Sequence, residues 1–132
     1  MVPPVGIHCI LELRGCCSGL LDSEPYIRES LEQASREGMS TLLKIDSQKF
    51  EPQGVTAFAI LAESHISIHT WPELGYAAID VFTCGETARP RLACEFLARA
   101  LKAESYSLHE VERGMLAAGQ VTEAEMLSDE TA

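Results

Sequence analysis

Three runs of strand character, VTAFAILA (residues 55–62), HISIHTW (65–71) and YAAIDVFT (76–83), follow one another with at most four residues between them. Connections that short leave no room for a crossover, so these neighbours must pair antiparallel. In the middle run the alternation is strict. Ile66, Ile68 and Thr70 fall on one face, and His65, Ser67, His69 and Trp71 on the other. One face of the central strand is therefore built from imidazole, hydroxyl and indole groups rather than from core residues.

The rest of the chain supplies a scaffold for this meander. Val5, Ile7, Cys9, Leu11 and Leu13 alternate through a first strand, and STLLKIDSQKF (40–50) reads as a second, ending at the turn EPQG. Between them GCCSGLLDSEP reads as a loop. Asp22 or Ser23 caps a helix of about four turns that carries Glu24 and Pro25 at its start, Ile27, Leu31 and Ala34 on its inner stripe, and Gly38 as its stop. A second helix begins near Pro90, with Leu92, Ala93, Phe96, Leu97, Ala100 and Leu101 at helical spacing. SYSLHEV (105–111) closes as a strand. The near-continuous apolar character of residues 55–62 predicts burial on both faces. The fold class expected is α+β: a two-layer sandwich with an antiparallel sheet, both helices on one face, and an uncovered face that a second protomer's sheet packs against in a homodimer.

Charge and cysteine usage narrow the function classes. The formal net charge of −10 opposes binding to nucleic acid or an anionic membrane surface. More than half of that excess lies in residues 104–132, where seven acids face Arg113 alone. The expected organisation is one domain over residues 1–114 followed by an acidic mobile tail, 115–132. Five cysteines without a CxxC pair fit neither a disulfide framework nor a thiolate zinc site, and the start of the chain has no secretory pattern, so a cytoplasmic protein with reduced thiols is expected.

A serine beside histidines suggests nucleophilic chemistry. Ser64 has neither the flanking glycines nor the following helix of a hydrolase elbow. Metal binding by His65, His69 and Cys84 is conceivable because alternate strand residues share a face, but these residues form no compact ligand cluster. A third reading makes the histidines satisfied polar residues of an interface sheet.

The segment ESHISIHTWPELGYAAIDVFTCGE (63–86) resembles the signature region of the prokaryotic S-adenosylmethionine decarboxylases, which are pyruvoyl enzymes. GIHCILEL, FEPQGVTA and HEVERG extend the likeness over residues 6–114. The resemblance implies a proenzyme that cuts itself between Glu63 and Ser64, into chains 1–63 and 64–132. Ser64 Oγ attacks the Glu63 carbonyl carbon, the amide becomes an ester, and β-elimination leaves a dehydroalanine that hydrolyses to a pyruvoyl group. His69 matches the histidine that supports elimination, and Thr56 stands where a serine often assists processing. Cys84 matches the acid that returns a proton after CO2 departs, and Cys9, Cys16, Cys17 and Cys94 are expected to be structural. Phe50 and His69 are expected around the adenine and sulfonium, and Glu73 on the ribose hydroxyls. The covalent pyruvoyl group, which works by Schiff-base formation with the substrate amine, is the sole cofactor expected, with no metal. The product, decarboxylated S-adenosylmethionine, serves spermidine synthesis.

Leu74, Arg14 and the doubled Cys16–Cys17 depart from the family pattern. Such changes leave room for L-ornithine or L-arginine as substrate on the same scaffold. A non-catalytic homologue is the remaining alternative, although Ser64, His69 and Cys84 are all present.

Overall fold

The computed structural model describes residues 4–115. Six strands, β1 (Gly6–Arg14), β2 (Leu42–Lys49), β3 (Val55–Leu61), β4 (Ser64–Trp71), β5 (Tyr76–Cys84) and β6 (Ser105–Arg113), form one sheet in the order β2-β3-β4-β5-β1-β6. Every neighbouring pair is antiparallel. The meander β2-β3-β4-β5 is the run of short connections that the sequence demanded. β1, first in the chain, slots between β5 and β6.

Helices α2 (Glu24–Glu37) and α3 (Pro90–Ala100) cover one face. α2 starts where Ser23 Oγ accepts from the Tyr26 amide at 3.3 Å, with Pro25 in the first turn, so the cap is Ser23 rather than Asp22. The Tyr26 hydroxyl donates to the Ala100 carbonyl at 2.7 Å and ties the two helices together. Ile27 and Leu31 from α2 and Leu97 from α3 meet Leu11, Ile66, Ile68, Ile79 and Val81 of the sheet in one continuous core. Full burial of each such side chain contributes about 1.5–3 kcal/mol relative to exposure. The α+β sandwich with both principal helices on one face is thus the fold of this chain.

Three details differ from the sequence reading. The loop after β1 contains a single helical turn, α1 (Ser18–Leu21), which buries Leu21 and is too short to show a period. Cys17, expected to serve packing like Cys9, Cys16 and Cys94, is exposed, while the other three are buried. β3 is covered on one side only: Val55, Ala57, Ala59 and Leu61 are buried, whereas Phe58 and Ile60 are each 41% exposed on the face without helices. Apolar residues there reflect a surface without cover in the protomer, not a second internal layer. The acidic tail expected over residues 115–132 lies, beyond Met115, outside the described residues.

Candidate active site

The β4 alternation holds in three dimensions. Ile66, Ile68 and Thr70 are buried toward the helices, and His65, Ser67, His69 and Trp71 face the other way. With them stand Thr56 and Phe58 of β3, Asp80 and Phe82 of β5, and His8 of β1, by strand alternation and pairing register. His8 Nε2 lies 2.9 Å from Asp80 Oδ1, and Ser67 Oγ donates to Asp80 Oδ2 at 3.5 Å.

The bond between Glu63 and Ser64 lies in the tightest connection of the sheet. Leu61 pairs with Ser64, leaving only Ala62 and Glu63 to reverse the chain. Two-residue hairpins favour positive φ at their central residues, usually through glycine or asparagine. Neither Ala62 nor Glu63 adopts it. The positive φ falls on Ser64 instead, at 143°, a region that costs a residue with a side chain about 1–3 kcal/mol.

Neighbouring groups hold this turn from both sides. The Glu63 carbonyl accepts from the Cys84 amide at 2.9 Å, and the Ala62 amide donates to the Thr41 carbonyl at 2.9 Å. The Glu63 carboxylate takes the Thr41 amide on Oε1 at 2.9 Å and the Thr41 hydroxyl on Oε2 at 3.2 Å. Sequence reasoning missed Thr41. Its partner lies 22 residues away, and only the β2–β3–β4 register brings them together.

Cys84 ends β5 opposite Gly6 of β1, and Gly85 beyond it turns the chain at φ +92°. A Cβ on Gly6 would come within 2.8 Å of the Phe82 ring, so a glycine is required for β1 to lie this close. A cleft of about 390 Å³ opens here, lined by Val5, Gly6, Thr83, Cys84, Gly85 and Pro90.

His65, weighed in the sequence only as a metal ligand or an interface residue, also stands at Ser64. Its Nδ1 lies 3.2 Å from Ser64 Oγ, and its ring stacks on Phe58 at 5.0 Å and meets Phe82 edge-on at 6.0 Å. Burial lowers its pKa below the ordinary imidazole value, and nearby His8 pushes the same way, against a smaller opposing effect of Asp80.

Thr56 and His69 pair across β3 and β4, with Thr56 Oγ1 3.0 Å from His69 Nδ1. They do not reach Ser64. Five residues along an extended strand separate His69 from Ser64 by about 17 Å. Phe50, 47% exposed beyond the end of β2, and Glu73, in the helical turn Pro72–Leu74, belong to the same far end as Trp71. The expected residues therefore form two groups: Glu63, Ser64 and Cys84 at one end of the sheet, and Phe50, Thr56, His69 and Glu73 toward the other. His65, His69 and Cys84 do not converge, and among the described residues no three His, Cys, Asp or Glu side chains form a metal-ligand group.

The loop carrying Phe50 is pinned. Asp22 Oδ1 accepts from the Gly54 amide at 2.8 Å and lies 3.0 Å from Lys49 Nζ, which also donates to the Phe50 carbonyl at 2.9 Å. The Gly54 hydrogen bond, then Lys49, hold the Asp22 carboxyl below its ordinary value.

The sequence pattern of one enzyme family coincides with this arrangement. The family model for S-adenosylmethionine decarboxylase matches residues 7–114. This chain belongs to that family. An S-adenosylmethionine decarboxylase proenzyme of Synechococcus sp. (strain WH7803) is 54% identical over 104 residues, covering 79% of this chain and 81% of that protein. The proenzyme of Methanococcus maripaludis (strain S2) is 49% identical over 119 residues, covering 90% and 98%. A crystal structure of the adenosylmethionine decarboxylase from Aquifex aeolicus superimposes with a TM-score of 0.82 at 33% identity, covering 92% of this chain and all of the other. The S-adenosylmethionine decarboxylase family thus accounts for both the sequence and the fold. No helix among the described residues is long and apolar enough to cross a membrane.

Proposed function

We propose that this chain is the proenzyme of an S-adenosylmethionine decarboxylase that cleaves itself at Glu63–Ser64. The observation that carries the reading is the state of that peptide: positive φ on Ser64, and the Cys84 amide on the Glu63 carbonyl oxygen. In an acyl shift Ser64 Oγ bonds to the Glu63 carbonyl carbon, and negative charge develops on the oxygen that Cys84 N–H already holds. Breaking the C–N bond leaves an ester and a free amine on Ser64, and relaxes the strained backbone. Removal of the Ser64 α-proton then expels Glu63 as a carboxylate. The dehydroalanine takes up water, loses ammonia and leaves a pyruvoyl group at position 64.

The residues present fit such a group, since its precursor serine is strained and the carbonyl before it is held by the Cys84 amide. A pyruvoyl group supplies a ketone that takes up a substrate amine and draws electrons from the bond to the departing carboxylate. Cys84 Sγ delivers a proton to the carbon that has lost CO2.

The second group of residues is supplied by a second copy of the chain. A two-fold axis between two uncovered faces, perpendicular to the strands, lays the Ser64 end of one sheet over the Thr56–His69 end of the other. The exposed Phe58, Ile60 and Trp71 on that face are suited to such contact. In this dimer His69 from the second copy removes the Ser64 α-proton, with Thr56 orienting the imidazole. Phe50 and His69 contact the adenine and the sulfonium, and Glu73 takes the ribose hydroxyls.

Intact mass spectrometry of the purified protein, with CO2 release measured on the same sample, tests the reading. Two chains split at Glu63–Ser64, a pyruvoyl mass on residues 64–132, and CO2 from S-adenosylmethionine but not from ornithine or arginine are expected. A single chain of unmodified mass would overturn it.

A further inference from the structure

We infer that His65 is the base that takes the Ser64 hydroxyl proton in the first step of self-cleavage. The inference rests on the self-cleavage reading above and assigns a separate residue to its opening step.

Adjacent residues of a regular strand point to opposite faces, so a serine and the histidine after it do not normally meet. Here Ser64 Oγ and His65 Nδ1 lie 3.2 Å apart, because the positive φ at Ser64 turns its side chain out of the regular alternation. The imidazole is fixed on both sides by Phe58 and Phe82. The charged or titratable groups facing it are His8 from β1 and Asp80 from β5, themselves 2.9 Å apart. His69 is too far along the same strand to serve Ser64 of its own chain.

A base in its neutral form has its lone pair free, and burial shifts His65 toward that form. With the ring proton on Nε2, Nδ1 accepts the Ser64 Oγ proton as Oγ bonds to the Glu63 carbonyl carbon. The resulting oxyanion lies on the Cys84 amide. When the C–N bond breaks, the same proton passes from Nδ1 to the departing Ser64 nitrogen, which becomes the free amine of the ester. No proton is gained or lost overall. Elimination requires a second base at the α-carbon, so the two histidines of HISIH divide the two steps between them.

The test follows processing of full-length chain made by cell-free translation, by intact mass against time. His65→Ala is expected to slow cleavage about 100-fold, with added imidazole restoring part of the rate. His65→Phe keeps the aromatic packing between Phe58 and Phe82, and is expected to be equally slow without responding to imidazole. Hydroxylamine, which cleaves esters, separates the steps. It should release fragments from a stalled His69→Ala chain, where the ester accumulates, and none from either His65 variant.

Cleavage of His65→Phe at the wild-type rate would overturn the inference. So would a slow His65→Ala that ignores imidazole and accumulates ester. A wild-type chain that stays whole would instead overturn the self-cleavage reading itself.

Discussion

The amide of Cys84 donates to the carbonyl oxygen of Glu63 at 2.9 Å, so one residue holds the proposed cleavage site with its backbone and carries the proposed proton donor on its side chain. The two functions are separable by mutation. Cys84→Ala keeps the N–H and is expected to cleave within a fewfold of the wild-type rate, while decarboxylation falls by at least about 100-fold for want of the proton donor. Mass spectrometry and CO2 release on the same preparation check both. An unchanged turnover rate would remove the thiol from the acid role.

Ser64→Ala is expected to remain a single inactive chain. Two fragments of normal mass from this variant would refute the serine mechanism.

Thr41 holds Ala62 and Glu63, on the carboxyl side of the proposed scissile bond, through its amide, its hydroxyl and its carbonyl. Thr41→Val removes only the hydroxyl contact with Glu63 Oε2 and preserves the β-branched shape. Processing is expected to slow by about 2- to 10-fold, since a hydrogen bond to a charged group contributes about 1.5–3 kcal/mol when fully expressed and less at an exposed site. Thr41→Ser should process normally, and turnover per pyruvoyl group should be unchanged in both. Equal processing rates for the valine and serine variants would show that the hydroxyl is idle.

The separation of Ser64 from His69 along β4 makes complementation between chains the direct test of the proposed shared site. Ser64→Ala and His69→Ala chains are each expected to stay whole when expressed alone. Co-expressed, the His69→Ala chain keeps its serine and meets an intact His69 from its neighbour, so it should be cleaved in mixed dimers. Failure to cleave in a mixture shown to contain mixed dimers would place the whole site within one protomer.

Asp22 links the Phe50 loop to the acid range of pH. Its carboxyl is held below the ordinary value of 3.8, chiefly by the Gly54 amide and then by Lys49. A carboxyl depressed in the folded state adds stability that is fully present above its unfolded pKa and is lost as pH falls through the folded one. The melting temperature of Asp22→Asn is therefore expected to lie below wild type at neutral pH, and the gap should close on acidification below 3.8. KM for S-adenosylmethionine should rise more than kcat falls, because the loop that presents Phe50 is loosened. A gap independent of pH would show that the carboxylate charge is not what holds the loop.

Local sequence determined a good deal of this protein by itself. The short links between residues 55 and 83 left antiparallel pairing as the sole option, and the period of two on β4 separated a core face from a polar face. Ser23, Pro25 and the apolar stripe after them specified α2, because capping and amphipathic period are set within one or two turns. The tertiary structure decided everything that depends on register across the sheet. Pairing of β1 with β5 brings Gly6 beside Cys84, and pairing of β2 with β3 carries Thr41 to Glu63. The contact between Ser64 and His65 contradicts the strand alternation that a sequence reading must assume, and exists because a two-residue turn without glycine displaces its positive φ onto the serine. Membership of one short motif likewise did not make Ser64 and His69 neighbours. An extended strand spaces its residues by about 3.3 Å each, so closeness in sequence becomes distance in space, and the partners of a strand residue come from other strands.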